Sequence, residues 1–595
     1  MPRYSIIFTL LLCAIISGLI THQVYRVGFS GAQSENTSLR TSLYLEYGSR
    51  QNAALFSHKE GIVARTNLRH VNNISKNLYV QDLVLLPEDD VVLLIPIPLQ
   101  GRSVNSIDIF PPKSGLFCVF SDQLSAPVKA IDYLQGRAAV RCHLGDPNWV
   151  DFLLKSGGIG TIALTSSDDN ILYPFLPLLA KTVSRRPVKW NSLVYESTVQ
   201  SHEYADDLIL FAKGINRRQG INAKPRNLRC VFNNTVETVV TATAQEIFRC
   251  KQPEKRLRPA LVGAKVTLRS VRKNNSFQLP SVAYYHPDHI IPALKRESRK
   301  LQLCACTMVF NGAKFLKEWI VYHSHLGVEQ FFIYDNNSDD NLEEIIKSMA
   351  DSSYNVKRHP WPWAKTQEAG FAHCALQARD SCHWVMFTDI DEFVFSPRWL
   401  NQWPNSTSNA LGLLLINETT QMINSTSSLS GSPIIGQVSI NCRNFGPSNL
   451  KSHPPQGVTQ GYTCRQKLEQ RHKSIVFLDA LSPSLRNAIH HFELKPGYKT
   501  MRLTSSEAVI NHYKYQAWSE FKAKFRRRVS AYVADWKDSK NLSSRDRVPG
   551  LGNEAIEPPG WENKFCEVND TALREFTNRV FSVTEGPISV MQWQL

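Results

Sequence analysis

The sequence predicts an α/β domain on an open, mostly parallel sheet, preceded by a smaller all-β domain and an apolar N-terminal segment. After Lys300, short apolar runs alternate with stretches of helical periodicity, the rhythm of strand, helix, strand, helix. Between about 78 and 290, β-branched runs are broken by Pro, Asp and Gly, which reads as short strands. Ser5 to Ile20 carry no charge and are almost wholly apolar. A chain of 595 residues exceeds one typical hydrophobic core, so more than one domain is expected.

The apolar segment is short for a membrane span at 1.5 Å per residue, but sufficient for a thin early-secretory membrane. The small-x-small stretch Ser30-Gly31-Ala32 lies far beyond Ile20 for a cleavage site. The reading is therefore an uncleaved signal anchor over 5–24 behind a cytosolic tail of 1–4. It makes the protein a single-pass type II protein of the Golgi membrane with a lumenal body. Arg3 on one side faces His22 and Arg26 on the other, so flanking charge does not set the orientation. Sequons at Asn36, Asn73, Asn233, Asn274, Asn336, Asn405, Asn417, Asn424, Asn541 and Asn569 agree with a lumenal body. Residues 25–77 are rich in Gly, Ser, Asn and Gln and read as a stem.

Hydrophobic residues make up 43% and charged residues 20%, an ordinary globular mix. The net charge of +16 suits acidic partners such as a nucleotide diphosphate or an acidic polysaccharide. No zinc-finger spacing, aromatic RNA-binding motif or long Lys/Arg block is present, so nucleic acid is not an expected partner.

The all-β domain is placed at 78–290, in the manner of a sandwich. It contains a weak internal echo. Phe117-Cys118-Val119-Phe120 leads to Val140-Arg141-Cys142, and Arg229-Cys230-Val231-Phe232 leads to Phe248-Arg249-Cys250. In an oxidising lumen these suggest the local disulfides Cys118–Cys142 and Cys230–Cys250. With Cys13 in the apolar segment, the twelve cysteines leave an odd number beyond it, hence one unpaired or intermolecular thiol. This domain is expected to be separable near 285–300, to bind acceptor glycan and to stay clear of the donor site.

The α/β domain is placed at 300–545, followed by an extension over 546–595. Leu301 to Phe310 reads as its first strand. Phe315, Leu316, Trp319, Ile320, His323 and Leu326 share one helical face, stopped by Gly327. Gln330 to Tyr334 is the second strand, and Asp340 with Glu343 resembles a capping box for the next helix. Tyr354 to Lys357 is the third strand, Gln367 to Arg379 a helix, and Trp384 to Phe387 the fourth strand. Ser519 to Trp536 reads as a docking helix with a basic face. In such sheets the ligand lies beyond the carboxyl ends of the strands.

Two strand ends carry carboxylates there: Asp335, and the pair Asp389 and Asp391. An i, i+2 pair leaving a strand can grip one divalent cation while that cation bridges two phosphates, and Mn²⁺ or Mg²⁺ suits oxygen ligands. The metal would stabilise charge on a departing nucleoside diphosphate.

The stretches Val309 to His323, Gly327 to Ser338 and Trp384 to Phe393, with Lys365-Thr366-Gln367-Glu368-Ala369 and Asn444-Phe445-Gly446-Pro447-Ser448, resemble glycosyltransferase family 92 and its plant members. The resemblance covers roughly 300 to 545. It implies a GT-A fold, an inverting mechanism and a UDP-sugar donor. Its best-known plant relatives are pectic β-1,4-galactan galactosyltransferases with a carbohydrate-binding amino-terminal module. The implied reaction is transfer of a sugar, galactose foremost, to a glycan or cell-wall polysaccharide. It also implies a late histidine as third metal ligand. His512 in Asn511-His512-Tyr513-Lys514-Tyr515 fits that motif, with Lys514 near the diphosphate. His490 and His491 compete for the role. Asp335 falls where such folds hold uracil or ribose, which would leave the Asn336 sequon unused.

An inverting transfer needs a carboxylate base. Asp479, Glu493 and Glu392 are open candidates, and Glu392, directly after the metal pair, is expected to point elsewhere. Glu318 and His323 on the first helix read as a surface acid and a satisfied, half-buried histidine. The rival functions are a catalytically silent glycan-binding membrane protein and a metal-dependent hydrolase, the latter weakened by the lack of an H-E-x-x-H set.

Overall fold

The computed structural model describes residues 69–70 and 79–595, less 98–114, 156–162, 167–170, 175–186, 217–221, 288–299, 402–432, 525–555 and gaps of one or two residues elsewhere. The expected anchor, stem and most of the basic helix lie outside the described residues. Among the described residues, no helix is long and apolar enough to cross a membrane.

The β-rich region forms two units rather than one. The first follows a nine-stranded path from Arg69–His70 to Val188–Lys189, and the second a seven-stranded path from Val194–His202 to Asn275–Gln278. Each buries its own apolar cluster. The echo seen in sequence has a structural meaning. Each disulfide joins the outer strands of a three-strand meander across a middle strand, Leu124–Leu134 or Val236–Ala244. A bulge in each middle strand, between Val128 and Ala130 or between Val240 and Ala242, turns it. The outer strands thereby approach to Cα separations of 6.3 and 6.1 Å at the cysteines.

The α/β domain has strands β1 (Leu301–Val309), β2 (Gln330–Asp335), β3 (Val356–Pro360) and β4 (Cys382–Phe387). Helices α1 (Ala313–His325), α2 (Leu342–Asp351) and α3 (Gln367–Ala378) alternate with them. Further along run β5 (Glu392–Phe395), β6 (Ile434–Asn444), β7 (Gln470–Phe477), β8 (Tyr498–Arg502) and β9 (Val509–His512). They build one nine-stranded sheet in the order β3-β2-β1-β4-β7-β6-β9-β5, with β8 beside β6. The β1–β2, β2–β3 and β1–β4 pairs are parallel; β7 is antiparallel to β4. The strand order reverses between β1 and β4, the switch point beside which α/β sheets bind ligands. A Cβ at Gly312, in the loop after β1, would collide with Ile390 in the loop after β4, so glycine lets the two loops meet there.

Helix α1 buries the expected face, and Gly327 ends it at φ +105°. The capping expectation for α2 is corrected. Asn341 is the N-cap, while the Asp340 Oδ2 atom accepts from the Ala313 backbone N–H at 2.9 Å and ties down α1 instead. The Glu318 expectation is also corrected. Its carboxylate is buried and accepts from the Val458 and Thr459 backbone N–H groups and the Thr459 hydroxyl. Three donors on one short turn compensate the burial of that acid.

His323 is satisfied, as expected, and fully buried. Its Nδ1 lies 2.9 Å from the Trp319 carbonyl and its Nε2 faces the Val394 N–H, which fixes the neutral, Nδ1-protonated ring. Burial holds its pKa down to about 3. Below the unfolded value near 6.5 the unfolded chain therefore binds a proton that the fold refuses. Stability from this residue is full above pH 6.5 and is lost on acidification towards pH 3. Thermal melts should show the wild type losing about 2–3 kcal/mol more than His323→Phe between pH 6.5 and 4.5. Parallel pH profiles would contradict this assignment.

The separable domain is not what the packing shows. One buried cluster holds Val84, Trp190, Tyr195 and Phe211 together with Cys306, Trp361, Trp363 and Phe371. Trp190 and Trp363 stack at 5.8 Å, and Arg358 binds Asp132 at 2.8 Å and Asp335 at 2.7 Å. A chain begun near Pro292 would expose that aromatic surface. Contacts divide the chain only between Asn67 and Leu68. The extension packs back as well, through Cys464–Cys566 and through Phe576, Phe581 and Trp593 in the core under α1.

Cys304–Cys382 pins β1 to β4, and Cys306–Cys374 pins β1 to α3. Among the described residues Cys442 is the one free cysteine, and it is buried.

Candidate active site

A cavity of about 730 Å³ lies at the carboxyl ends of the parallel strands. Its lining includes the loops after β1, β2 and β4, the start of α3, strand β7 and the end of β9. Asp389 and Asp391 both reach it, as expected. So do His490, His491, His512 and Lys514.

Register explains how distant residues meet here. Strand β9 runs antiparallel to β5 with His512 opposite Glu392. The His512 Nε2 atom lies 3.4 Å from the Asp391 carboxylate, and its Nδ1 lies 3.5 Å from Glu392. Strand β7 runs antiparallel to β4 with Ser474 opposite Phe387, so Lys473 arrives beside the loop that β4 feeds. Its ammonium lies 3.2 Å from Asp389 and 2.6 Å from Glu392. His490 lies 3.5 Å from Asp389, and Lys524 forms an ion pair with Asp391. The Gln367 side-chain amide, at the first turn of α3, donates to Asp389 at 3.3 Å.

Burial would raise both aspartates. Lys473 more than offsets it and holds Asp389 well below the usual carboxylate range. Lys524 does the same for Asp391. Burial pushes Glu392 up to about 8 against the pull of Lys473, with Asp389 and Asp391 adding to the rise. Burial also lowers His512 to about 3, so it presents a neutral imidazole.

This donor set fits a small divalent cation. Ligand atoms of Asp389, Glu392 and His490 lie within 4.8 Å of one another. Asp391 and His512 form a second carboxylate–imidazole pair beside them. Ionised carboxylates with neutral imidazoles suit Mn²⁺ or Mg²⁺. The expected set of Asp389, Asp391 and His512 is thus brought together, with His490 joining it. The expectation that Glu392 points elsewhere is corrected: it faces the same cluster from beneath, fully buried.

Three other expected residues are placed elsewhere. The Asp335 carboxylate does not line the cavity. It is 3% exposed, bound by Arg358 and the Ser338 backbone N–H, because the chain turns there and its neighbours Asn336 and Asn337 face the ligand side instead. Asp479 lies in a 3₁₀ turn after β7, beside Arg379, and Glu493 contacts Ser484 on the surface. Neither lines the cavity. The Asn336 amide donates to the carbonyls of Trp361 and Trp363.

Sequence reading missed Gln367, Lys473 and Lys524 as site residues. Gln367 stood inside a quoted motif, and that was the available signal. Lys473 and Lys524 carried none, since each reads as one cation among many.

The fold is an α/β sheet with a carboxylate–imidazole cluster at its switch point. Residues 299–545 match the family model for Glycosyltransferase family 92. A family 92 protein of Arabidopsis thaliana is 46% identical over 422 residues, 70% of each chain. One of Oryza sativa subsp. japonica is 44% identical over 425 residues, 68% of each chain. One of Ricinus communis is 36% identical over 556 residues, 89% of this chain and 91% of the relative. The chain belongs to glycosyltransferase family 92, and it is a glycosyltransferase. Among solved structures it is similar to a mannosyltransferase of Pyrobaculum calidifontis in complex with GDP-Man and Mn²⁺, at 11% identity. That match has a TM-score of 0.23 over 39% of this chain and 64% of the other. It is also similar to glucosyl-3-phosphoglycerate synthase of Mycobacterium tuberculosis with Mn²⁺ and UDP, at 15% identity. There the TM-score is 0.20 over 38% and 76%.

Proposed function

We propose that the protein transfers a hexosyl group, galactose foremost, from a UDP-sugar to a glycan or cell-wall polysaccharide with inversion, on a GT-A-type domain that needs Mn²⁺ or Mg²⁺. The observation that carries this reading is the cluster of Asp389, Asp391, His490 and His512 at one end of a cavity large enough for a nucleotide sugar. A cation held by these residues, when bound, neutralises charge on the departing diphosphate. The chain's own groups prepare that site. Gln367 orients Asp389, and Lys473 and Lys524 keep the two aspartates ionised. Lys514 brings a fixed positive charge to the cavity wall, where a diphosphate would lie. Leu86, Pro87 and Phe310 line the cavity and limit water there. Asp479 and Glu493 do not line this cavity and are not placed to take the acceptor proton.

A body in the secretory lumen, anchored by 5–24 in the Golgi membrane, is part of this proposal. Disulfides at five pairs of the described cysteines support an oxidising compartment.

The full chain, incubated with a panel of UDP-sugars, Mn²⁺ and pectic oligosaccharides, is expected to consume one donor and lengthen one acceptor. EDTA should remove the turnover and Mn²⁺ restore it better than Ca²⁺. Inversion is read from the anomeric configuration of the product by NMR. Turnover unchanged in EDTA would contradict the metal assignment. No consumption of any donor would favour a silent glycan-binding protein.

A further inference from the structure

The cavity extends to both sides of the loop after β4. Towards β1 and β2 its wall includes Leu86, Pro87, Asp90 and Arg141 from the first β unit. The sequence expectation that this unit stays clear of the donor site is thereby overturned. Towards β7 the wall is made by Gln470, Arg471, His472 and Lys473, with Ala488 and His491 beside them. This second arm carries chemistry that a nucleotide-sugar donor does not use.

Four consecutive residues of one strand do not ordinarily face one space, because side chains alternate across a sheet. A bulge brings these four together. Asn441 of β6 pairs with His472 and Cys442 with Gln470, so Arg471 is the extra residue between them. Arg471 is exposed at the cavity wall. Beside it His472 and His491 hydrogen-bond ring to ring, edge to face, with centroids 4.1 Å apart. The His491 Nε2 atom also lies 2.9 Å from the His472 carbonyl. His491 reaches this place on the hairpin of Asn487–Ala488 with His491–Phe492, where His490 turns the chain at φ +70°.

The charge of this arm is one-sided. Among the described residues, the carboxylates of the cavity lining are Asp90, Asp389 and Asp391. Each has a cation of the chain against it: Arg141 at 3.4 Å, Lys473 at 3.2 Å, and Lys524. Arg471 adds its charge beyond those pairs. Glu469, just before the arm, is turned to Asn441 at 2.9 Å and Arg443 at 3.3 Å and does not line the cavity. Burial, and then the charge of Arg502, lower the His472 pKa, so a further cation stands near this arm. A divalent cation and the diphosphate of a nucleotide sugar carry equal and opposite charge, so a bound donor would leave the arm positive. The arm lies one strand spacing from the carboxylate cluster, about 5 Å, which is the reach of one sugar ring. A sugar leaving the diphosphate would meet its acceptor there.

We propose that Arg471 selects an acceptor glycan built with uronic acid residues, its guanidinium pairing with one sugar carboxylate while the His472–His491 ring pair packs against the sugar. This rests on the nucleotide-sugar reading above and deepens it by naming the acceptor class. A guanidinium meets a carboxylate with two parallel hydrogen bonds, a match that a neutral sugar or a methyl ester does not return. Arg471 is then a specificity residue, and the bulge in β7 aims it.

The test is titration calorimetry on the full chain, with and without Mn²⁺ and UDP, using a short oligogalacturonide, its methyl ester and a neutral β-1,4-galactan oligosaccharide. The wild type is expected to bind the acid at least roughly tenfold more tightly than the ester or the galactan, with the gap narrowing as salt rises. Arg471→Gln should weaken the acid roughly tenfold or more and bring it level with the ester, while the affinities for the ester and for UDP change about twofold or less. Arg471→Lys keeps the charge but not the fork and should recover part of the preference. Arg471 is exposed, so both variants are expected to fold, and melts verify it. A wild type that binds acid and ester alike, or binds neither, would overturn the proposal, as would an acid preference retained in folded Arg471→Gln. A wild type that shows the acid preference but binds no UDP with Mn²⁺ would remove the nucleotide-sugar reading and leave the acidic subsite standing.

Discussion

Asp391→Asn is expected to lower transfer by at least about a thousandfold at saturating donor, with Asp389→Asn close behind. Asp391 is 5% exposed and stands between His512 and Lys524. An amide in its place keeps the shape but removes the charge that would draw a cation to the diphosphate. Metal stabilisation of a leaving group supplies several kcal/mol, and each 1.36 kcal/mol is about tenfold in rate. The substitution takes one like charge away from Asp389 and Glu392 but also the partner of Lys524, and the two effects oppose one another in the melting temperature. The check is donor turnover beside calorimetry on the same preparation. Activity within about tenfold of wild type would place the leaving-group chemistry elsewhere.

The second large effect is on stability. Lys473 is 7% exposed and is the cation against both Asp389 and Glu392. Lys473→Met leaves the ionised Asp389 and the fully buried Glu392 without their shared cation, and breaking a buried pair from one side costs about 3–5 kcal/mol. Calorimetry in EDTA should show the variant melting well below wild type. Mn²⁺ should recover more stability in the variant than in the wild type, because the cation then supplies the missing positive charge. Equal melting temperatures in EDTA would show that neither carboxylate depends on this cation.

The parallel half of the sheet was legible because its signals are local. The runs 301–310, 330–334 and 384–387 set β1, β2 and β4 within a residue or two, and the face of α1 was read from its periodicity. The paired aspartates were legible because they follow a strand by a single residue. What distant pairing decides was not legible. Lys473 reaches the site through the antiparallel register of β7 on β4, and no spacing in the sequence encodes that register. Asp335 was misplaced for a related reason. A carboxylate at a strand end can face the cleft or turn under it, and Arg358, arriving on β3, turned it under. The division of the chain was over-read because a linker-like stretch near 285–300 says nothing of the apolar faces on either side. Trp190 precedes that stretch and Trp363 follows it, yet they stack on one another.

We propose that one cation, held by the carboxylate–imidazole cluster after β4, would join the donor's diphosphate to this chain. Its most direct test is Mn²⁺ binding, followed by electron paramagnetic resonance, with UDP present and absent in the wild type and in Asp391→Asn. Mn²⁺ and UDP are each expected to tighten the binding of the other at least about tenfold in the wild type, and the coupling is expected to vanish in Asp391→Asn. UDP that binds the wild type equally well with and without Mn²⁺ would contradict it.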